Sequence, residues 1–433
     1  MQDGTKAPRT RIVILGGGFG GAYCARRLER SLRGSDVEIL LIDRNNYFAF
    51  SPLLVEAGTG SLEPRHAVVP IRSFLRSASF RMAEVVRVDR TRREIRYRIE
   101  ETGQVTTTRY DHLVLAMGSV SLRPPVPGLA EHGLDLKHLV DAVALRDRAV
   151  RMLEAAAATA DPELRRALLH FVVVGGNFTG VEVAGEFHEF LRDACRGVQG
   201  IGADECGVTL VEQRERILGA VDPDLSDYAL RQMRKRGIRV VLKDSVARIA
   251  ATEVLLQSGE TVRAHTTVWC AGIAPSPLNR ELDLPVDERG YLVCNLDLRV
   301  QGHEDIWAIG DCAVTVDPTG HPNPATAQQA VREADHLARN LRSALRGEPT
   351  RDLTSRNLGS LVALGRHTGV AKVMGLKFSG FAAWFLWRTV YLMKMPGWAR
   401  RIRVALDWTG AFLFPRDVVQ LGIHRTVSRE EKG

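Results

Sequence analysis

Three glycines, Gly16, Gly18 and Gly21, followed by an aspartate at 43, are the residues whose types and spacing first suggest chemistry. In a GxGxxG turn the first glycine permits a tight bend. The second lets the backbone approach a pyrophosphate, and the third lets a helix pack closely on a strand. Asp43 lies 22 residues past Gly21, where a carboxylate can accept hydrogen bonds from a ribose. The contact set expected here is Gly16, Gly18, Phe19, Gly20 and Gly21, with Asp43 and Arg44. A second constellation repeats the first: Gly175, Gly176 and Gly180, with Asn177 in the middle-glycine position and Glu212 a further 32 residues beyond Gly180. A third is Gly310-Asp311 at the end of the apolar run "DIWAI". Open α/β sheets bind ligands at such strand ends, although the same aspartate would also suit the N-cap of a following helix.

A bare glycine triplet is weak evidence, so the flanking elements decide. Arg11–Leu15 and Val37–Ile42 are apolar runs that read as buried strands, and Phe19–Arg33 between them has helical periodicity. A helix starting at the glycines would offer free N–H groups and a partial positive charge to phosphates. The pattern recurs with a strand at Phe171–Val174, a helix, and the strand "GVTLVEQ" ending on Glu212. Asn tolerates left-handed backbone better than most residues, so the second turn is expected to survive Asn177, with its side chain near a phosphate. Tyr110–Ala116 reads as a return strand running into Gly118, and residues 238–270 are strand-like up to Gly272. Both glycines are expected at a cofactor edge. "RPPVPG" (123–128) and Pro275, Pro277 and Pro285 mark crossovers.

The expected fold is therefore α/β: two doubly wound, Rossmann-like dinucleotide-binding domains, the second inserted in the first. The expected boundaries are 9–125 with 285–348 for the first domain, 126–284 for the second, and 349–433 for a distinct C-terminal region. "RNNYFAFSPLLVEAGTG" (44–60) reads as a loop and short helix lining the first cofactor, or as a packed connection.

The chain has 433 residues and a net charge of +8. Charge placement matters more than its sum. Thr354–Arg416 carries ten Lys or Arg residues against one acid, Asp407, so the excess belongs to the C-terminal region. That region also holds four of the six Trp residues, and Trp384, Trp387, Arg388, Tyr391 and Lys394 fall at helical spacings. Aromatics with snorkelling cations describe a helix lying on a membrane surface. A dimer face or a lid on the core would use the same residues. No apolar run is long enough to span a bilayer, and no secretory signal is expected from the polar N-terminus. Nucleic acid is not an expected partner. The six cysteines form no CxxC and no metal-site spacing, so neither a bound metal nor a dithiol is expected.

Together these segments resemble the type II NADH dehydrogenases, single-chain FAD-dependent NADH:quinone oxidoreductases of the membrane surface. The resemblance spans roughly 9–420 and rests on "VILGGGFGG", "LIDRNNYFAFSPLL", "LVLAMGS", "VVVGGNFTGVE", "WCAGIAPSPL", "IWAIGDCA", "ATAQQA", "LVALGRHTGVA" and the Trp-rich tail. It implies FAD in the first site with Asp311 on its ribityl chain. It implies NADH in the second, with Glu182 near the nicotinamide and Glu212 on the adenosine ribose. Ala327 and Gln328 would face the flavin where a quinone arrives. The acidic Glu212 favours NADH over NADPH, with Arg214 and Arg216 nearby as a counterweight. The implied location is peripheral, on the cytoplasmic face of the cell membrane, and the reading leaves room for a homodimer.

Three positions depart from the family pattern. Arg332 stands where a Gln is usual, Ser51 where a Gln is usual, and Asn177-Phe178 where Gly-Pro is usual. Arg332, one turn from Gln328, would polarise a quinone carbonyl, or turn away to pair with Glu333 or Asp335. Two rivals use the same scaffold: an enzyme with another electron acceptor, and a flavin-bearing NADH sensor that does not turn over.

Overall fold

Apolar runs in the sequence become the centres of two parallel sheets. The structure, a computed structural model, describes residues 9–354 and 359–422. In chain order, β1 (Thr10–Leu15), α1 (Phe19–Ser31), β2 (Val37–Asp43), β3 (Ser79–Met82) and β4 (His112–Leu115) come first. They are followed by α2 (Leu139–Ala157), β5 (His170–Val174), α3 (Phe178–Cys195), β6 (Gly207–Glu212), β7 (Arg239–Leu242) and β8 (Thr266–Trp269). Next come β9 (Ile306–Ala308), α4 (Ala327–Leu345), β10 (Gly359–Ala363), β11 (Gly369–Val373), β12 (Leu376–Ser379), α5 (Gly380–Lys394) and α6 (Trp398–Leu413).

The chain forms two units. The first comprises the described residues of Met1–Ala49, Val69–Val120 and Ile273–Arg356. Its sheet has the order β9-β4-β1-β2-β3, all pairs parallel. Ile12, Val13, Ile14 and Leu15 of β1 are wholly buried, as expected for a central strand covered on both faces. The second unit comprises the described residues of Phe50–Val68, Ser121–Gly272 and Asn357–Gly433. Its sheet runs from the short strand Gly133–Leu134 through β8, β5 and β6 to β7, again parallel. The repeat inferred from the glycines is thus a repeat of structure: an α/β fold with two doubly wound nucleotide-type halves.

Two segments lie elsewhere than the sequence suggests. Residues 50–68, expected with the first domain, group with the second unit. The short helix Leu54–Gly58 buries all five of its residues, and Val55 joins the core formed by Leu136, Ala142 and Leu145. The C-terminal segment is divided between the two units. Residues 349–354 belong to the first unit, and 359–422 to the second, where Val362, Leu364 and Val370 enter the same core. The expected region 349–433 extends at 355–358 and 423–433 outside the described residues.

The aromatic stripe expected to face a membrane turns inward. Trp384, Trp387 and Trp408 are buried, with Trp387 at 2 % exposure; the indoles of Trp387 and Trp408 donate to the buried acids Glu182 and Glu56, and Trp384 lies under the Arg388 guanidinium. The outward apolar residues are others: Phe381, Phe385 and Met393 on α5, and Trp398, Ile402, Leu406 and Leu413 on α6. They recur mostly at four-residue steps and so form a stripe on each helix. Among the described residues, no helix is long and apolar enough to cross a membrane.

Candidate functional site

In the first unit, β1 hands over to α1 through Gly16, which holds φ at +99°. A Cβ there would lie 2.3 Å from the Ala116 carbonyl oxygen. Gly21 sits so close to the same bend that a Cβ would lie 1.8 Å from the Gly16 oxygen, which is why helix and strand can pack. Gly18 is the N-cap of α1 and supplies no side-chain cap. Nothing lies within 4 Å of where its Cβ would be, so the approach to the helix N-terminus is open. Gly20 instead abuts Ile309, and Phe19 packs edge-on to Phe48.

At the end of β2, Asp43 accepts the Gly17 N–H at 2.6 Å and the Asn45 N–H at 2.6 Å. Both carboxylate oxygens thus brace the turn while keeping lone pairs for a ribose. Arg44 beside it is exposed. Gly118, at φ +69°, faces open space.

Asp311 lies in the turn Gly310–Cys312, and its Oδ2 accepts the Ser119 hydroxyl at 2.9 Å. The turn does not cap α4. That role belongs to Thr326, whose hydroxyl accepts the Gln329 N–H at 3.2 Å. Ala327 and Gln328 stay half-buried at the start of α4, and Arg332 is half-buried one turn on.

Both acids considered beside Arg332 have partners of their own. Asp335 pairs with Arg27. Glu333 is buried and accepts the Gly310 N–H at 2.7 Å, the Thr315 hydroxyl at 2.6 Å and the Gln329 amide at 3.1 Å. Burial pushes the Glu333 carboxyl up against the pull of those donors. Glu333 therefore anchors the Asp311 turn to α4, a role absent from the sequence reading because Gly310 and Glu333 are 23 residues apart.

The second unit repeats this construction. Gly175 holds φ at +105°, and a Cβ on Gly180 would lie 1.8 Å from the Gly175 oxygen. Glu212 ends β6 as Asp43 ends β2, accepting the Gly176 N–H at 2.6 Å and the Arg214 N–H at 2.8 Å. The ten additional residues between Gly180 and Glu212 lengthen the helix, from 13 residues in α1 to 18 in α3, and the loop after it. The strand end is unaffected. Gly272, at φ +98°, donates its N–H to Cys270.

Asn177 differs from the expectation. It has φ −80° and ψ −174°, so the turn asks for no left-handed residue there. Its Oδ1 caps α3 by accepting the Gly180 N–H at 3.0 Å, and its Nδ2 donates to the Cys270 carbonyl at 2.6 Å. The side chain is thereby held by the turn itself.

Glu182, one turn into α3, accepts the Ala363 N–H at 3.2 Å and the Trp387 indole at 3.2 Å. Burial, reinforced by Glu56 and Glu186, pushes its carboxyl up to about 8. It belongs to a cluster that sequence reasoning missed. Glu56 accepts the Trp408 indole at 2.7 Å and pairs with Arg388 at 3.2 Å, while Arg388 stacks on Trp384 and Trp408. Glu186 pairs with the buried Arg416 at 3.2 Å. The available signal was the spacing of Glu182, Glu186 and Glu189, which share one face of α3. Among the described residues no group of three or more His, Cys, Asp or Glu could hold a metal ion.

The donors fit dinucleotides: two glycine turns, each with a carboxylate at the second strand's end. The pyridine nucleotide-disulphide oxidoreductase family matches residues 10–334, and the NDH2 C-terminal domain matches 357–417. The chain is 30% identical to the type II NADH:quinone oxidoreductase Ndh of Mycobacterium tuberculosis, over 96% of this chain and 91% of that one. It belongs to the type II NADH:quinone oxidoreductases.

Other relatives of this type II enzyme agree. It is 34% identical to the demethylphylloquinone reductase NdbB of Synechocystis, over 92% of this chain and 96% of that one. The fold matches the structure of NDH2 from Plasmodium falciparum in complex with NADH, with a TM-score of 0.88 at 21% identity, over 95% of this chain and 100% of that one.

Proposed function

We propose that the chain oxidises NADH and reduces a membrane quinone through FAD, without pumping protons. The observation that carries this is the pair of glycine turns, each with its own strand-end carboxylate, in a chain that continues into the NDH2 C-terminal domain. When bound, FAD supplies the hydride acceptor and the two-electron donor.

The chain's residues bind and orient. In the first unit Gly16, Gly18, Phe19, Gly20 and Gly21 receive the FAD pyrophosphate at the N-terminus of α1, which lacks a side-chain cap. Asp43 and Arg44 hold the adenosine ribose end. Asp311, oriented by Ser119 and by the Glu333 anchor of Gly310, takes the ribityl hydroxyls, with Gly118 leaving room beside it. In the second unit Gly175, Gly176, Asn177 and Gly180 receive the NADH pyrophosphate. Glu212 accepts from the ribose, Gly272 borders the site and Glu182 stands at the nicotinamide end.

Ala327 and Gln328 open the acceptor end of the first unit, and Arg332 on the same helical face polarises the quinone carbonyl. A guanidinium donates without accepting and keeps its charge. These roles assign FAD to 9–125 with 285–348, apart from residues 50–68, which pack in the second unit, and NADH to 126–284.

Membrane contact falls to the outward stripes of α5 and α6, flanked by Arg401 and Arg403, on the cytoplasmic face. A homodimer completes the reading. The test is NADH oxidation by the FAD-loaded enzyme against a panel of quinones, with and without anionic liposomes. Multiple turnover with quinone is expected, enhanced by liposomes, and Arg332→Gln should change quinone turnover by at least about tenfold while flavin reduction is kept. A single reduction by NADH followed by a stall would favour the sensor.

A further inference from the structure

The loop that lengthens the second nucleotide unit ends where two cysteines meet. Cys195 is the last residue of α3, and Cys206 immediately precedes β6. Their sulphurs lie 2.6 Å apart, at 0 % and 5 % exposure, within the core that also holds Leu191, Ala194, Ile201 and Val208. The sequence showed no dithiol, because eleven positions separate the two residues; the fold makes one.

Each partner is held independently of the other. Val198 and Gly197 donate N–H groups to Cys195 and Ala194 as α3 ends. Next to Cys206, Glu205 accepts the Gly202 N–H at 3.0 Å and pairs with Arg165 at 2.6 Å. In the loop that joins the two cysteines, Arg196, Gly197, Gln199 and Gly200 are exposed.

The two thiols are also chemically unequal. The hydrogen bond between the two sulphurs holds Cys195 below the usual thiol range, with Arg192 assisting, and pushes Cys206 up. The other cysteines are unlike this pair. Cys312 donates to the Leu115 and Ile309 carbonyls and is pushed up to about 12 by burial, and Cys270 likewise.

We propose that Cys195 and Cys206 are a peroxide-reactive pair that closes reversibly to a disulfide, tying the end of α3 to the start of β6. The Cys195 thiolate attacks one oxygen of hydrogen peroxide. The O–O bond breaks, hydroxide leaves and takes up a proton, and a sulfenic acid remains on Cys195. The Cys206 sulphur then attacks Cys195 Sγ and the S–O bond breaks. The departing hydroxide takes the Cys206 proton. Two thiols and one peroxide thus become one disulfide and two waters, and a small dithiol reverses the change.

The bridge joins the helix that carries Asn177 and Glu182 to the strand that ends in Glu212. Its closure should raise the unfolding midpoint of the oxidised protein, because the denatured chain is constrained.

The test uses the full-length, FAD-loaded protein treated with stoichiometric hydrogen peroxide. Thiols titrated after denaturation are expected to fall from six to four, and dithiothreitol should restore all six. A non-reducing peptide map is expected to join the Cys195 and Cys206 peptides. In Cys206→Ser, dimedone should trap a sulfenic acid at Cys195, and in Cys195→Ser it should trap none at Cys206. Persistence of six thiols, a bridge between any other pair, or dimedone on Cys206 in place of Cys195 would overturn the proposal. Should either variant fail to fold, the wild-type thiol count and peptide map decide.

Discussion

The two glycine turns share a plan and differ at two positions, Gly18 against Asn177 and Gly20 against Thr179. Both begin on a glycine with φ near +100°, both pack a helical glycine against that residue's carbonyl, and both close on a carboxylate that accepts two backbone N–H groups. Between these fixed points stand Gly18 and Asn177, at φ −72° and −80°. Glycine is therefore not required there by the backbone. Its use is to leave space, and the first turn leaves all of it. Asn177 uses that space to cap α3 and to tie the turn to Cys270. A capped turn keeps its shape without a ligand, which suits NADH, a substrate that arrives and leaves. On the proposed assignment, FAD bound in the first unit would satisfy the same N–H groups of its uncapped turn.

The largest expected effect comes from the position the two turns share. A methyl group on Gly21 or on Gly180 would sit 1.8 Å from a backbone oxygen. Gly21→Ala should purify without FAD and colourless. Gly180→Ala should stay yellow while flavin reduction by NADH falls at least about a hundredfold, about 2.7 kcal/mol. Stopped-flow reduction with FAD quantitation checks both. If Gly180→Ala also loses FAD, the two turns are not independent.

Next in size is the charge at the strand ends. Glu212→Gln removes the carboxylate that repels a 2′-phosphate, and the NADPH-to-NADH ratio of kcat/KM should rise at least about tenfold, or about 1.4 kcal/mol. Asp43→Asn should leave that ratio unchanged and release FAD more readily. An equal change of nucleotide preference in both variants would break the assignment of one nucleotide to each turn.

A pH measurement separates the units further, because Glu182 in the second is raised from 4.5 to about 8 by burial. In that window the folded protein holds a proton that the unfolded chain releases. The contribution of Glu182 to stability is therefore full below its unfolded value and is lost as pH rises towards 8. The thermal midpoint of the wild type should fall between about pH 5 and 8, and that of Glu182→Gln should fall less. Parallel curves would show that Glu182 titrates normally.

The smallest effect is expected where the turns differ. Asn177→Gly should cost only a few tenths of a kcal/mol in stability and change the KM for NADH by less than about threefold. Gly18→Asn should fold, since open space receives the side chain, but hold FAD less tightly. If Asn177→Gly abolishes NADH use, the cap is part of the binding site.

Much of this was legible in the residues themselves. The spacing of Gly16, Gly18 and Gly21, the apolar runs at 11–15 and 37–42 and the terminal Asp43 specify a βαβ unit through local sterics and alternation, and the repeat at 171–212 does the same. The identity of the cap at Asn177 was less legible, because a side chain's choice between ligand and backbone depends on where Cys270 lies, 93 residues away. The direction of the Trp stripe was misread for a related reason. Periodicity shows that Trp384 and Trp387 share a helical face, but not whether that face meets lipid or a buried carboxylate. The indole N–H decides it once Glu182 and Glu56 are in place.

The sequence by itself determined the two nucleotide turns and the order of their strands and helices, because each depends on residues within some forty positions of one another, and the family, because such segments follow one another in order along the chain. Only the tertiary structure decided which residues the turns and the C-terminal helices meet. It set Glu333 under Gly310, Glu56 beneath Trp408, and Cys206 against Cys195. A hydrogen bond or sulphur contact is satisfied within about 3 Å, and a linear sequence does not specify which distant segments the folded core brings to that distance.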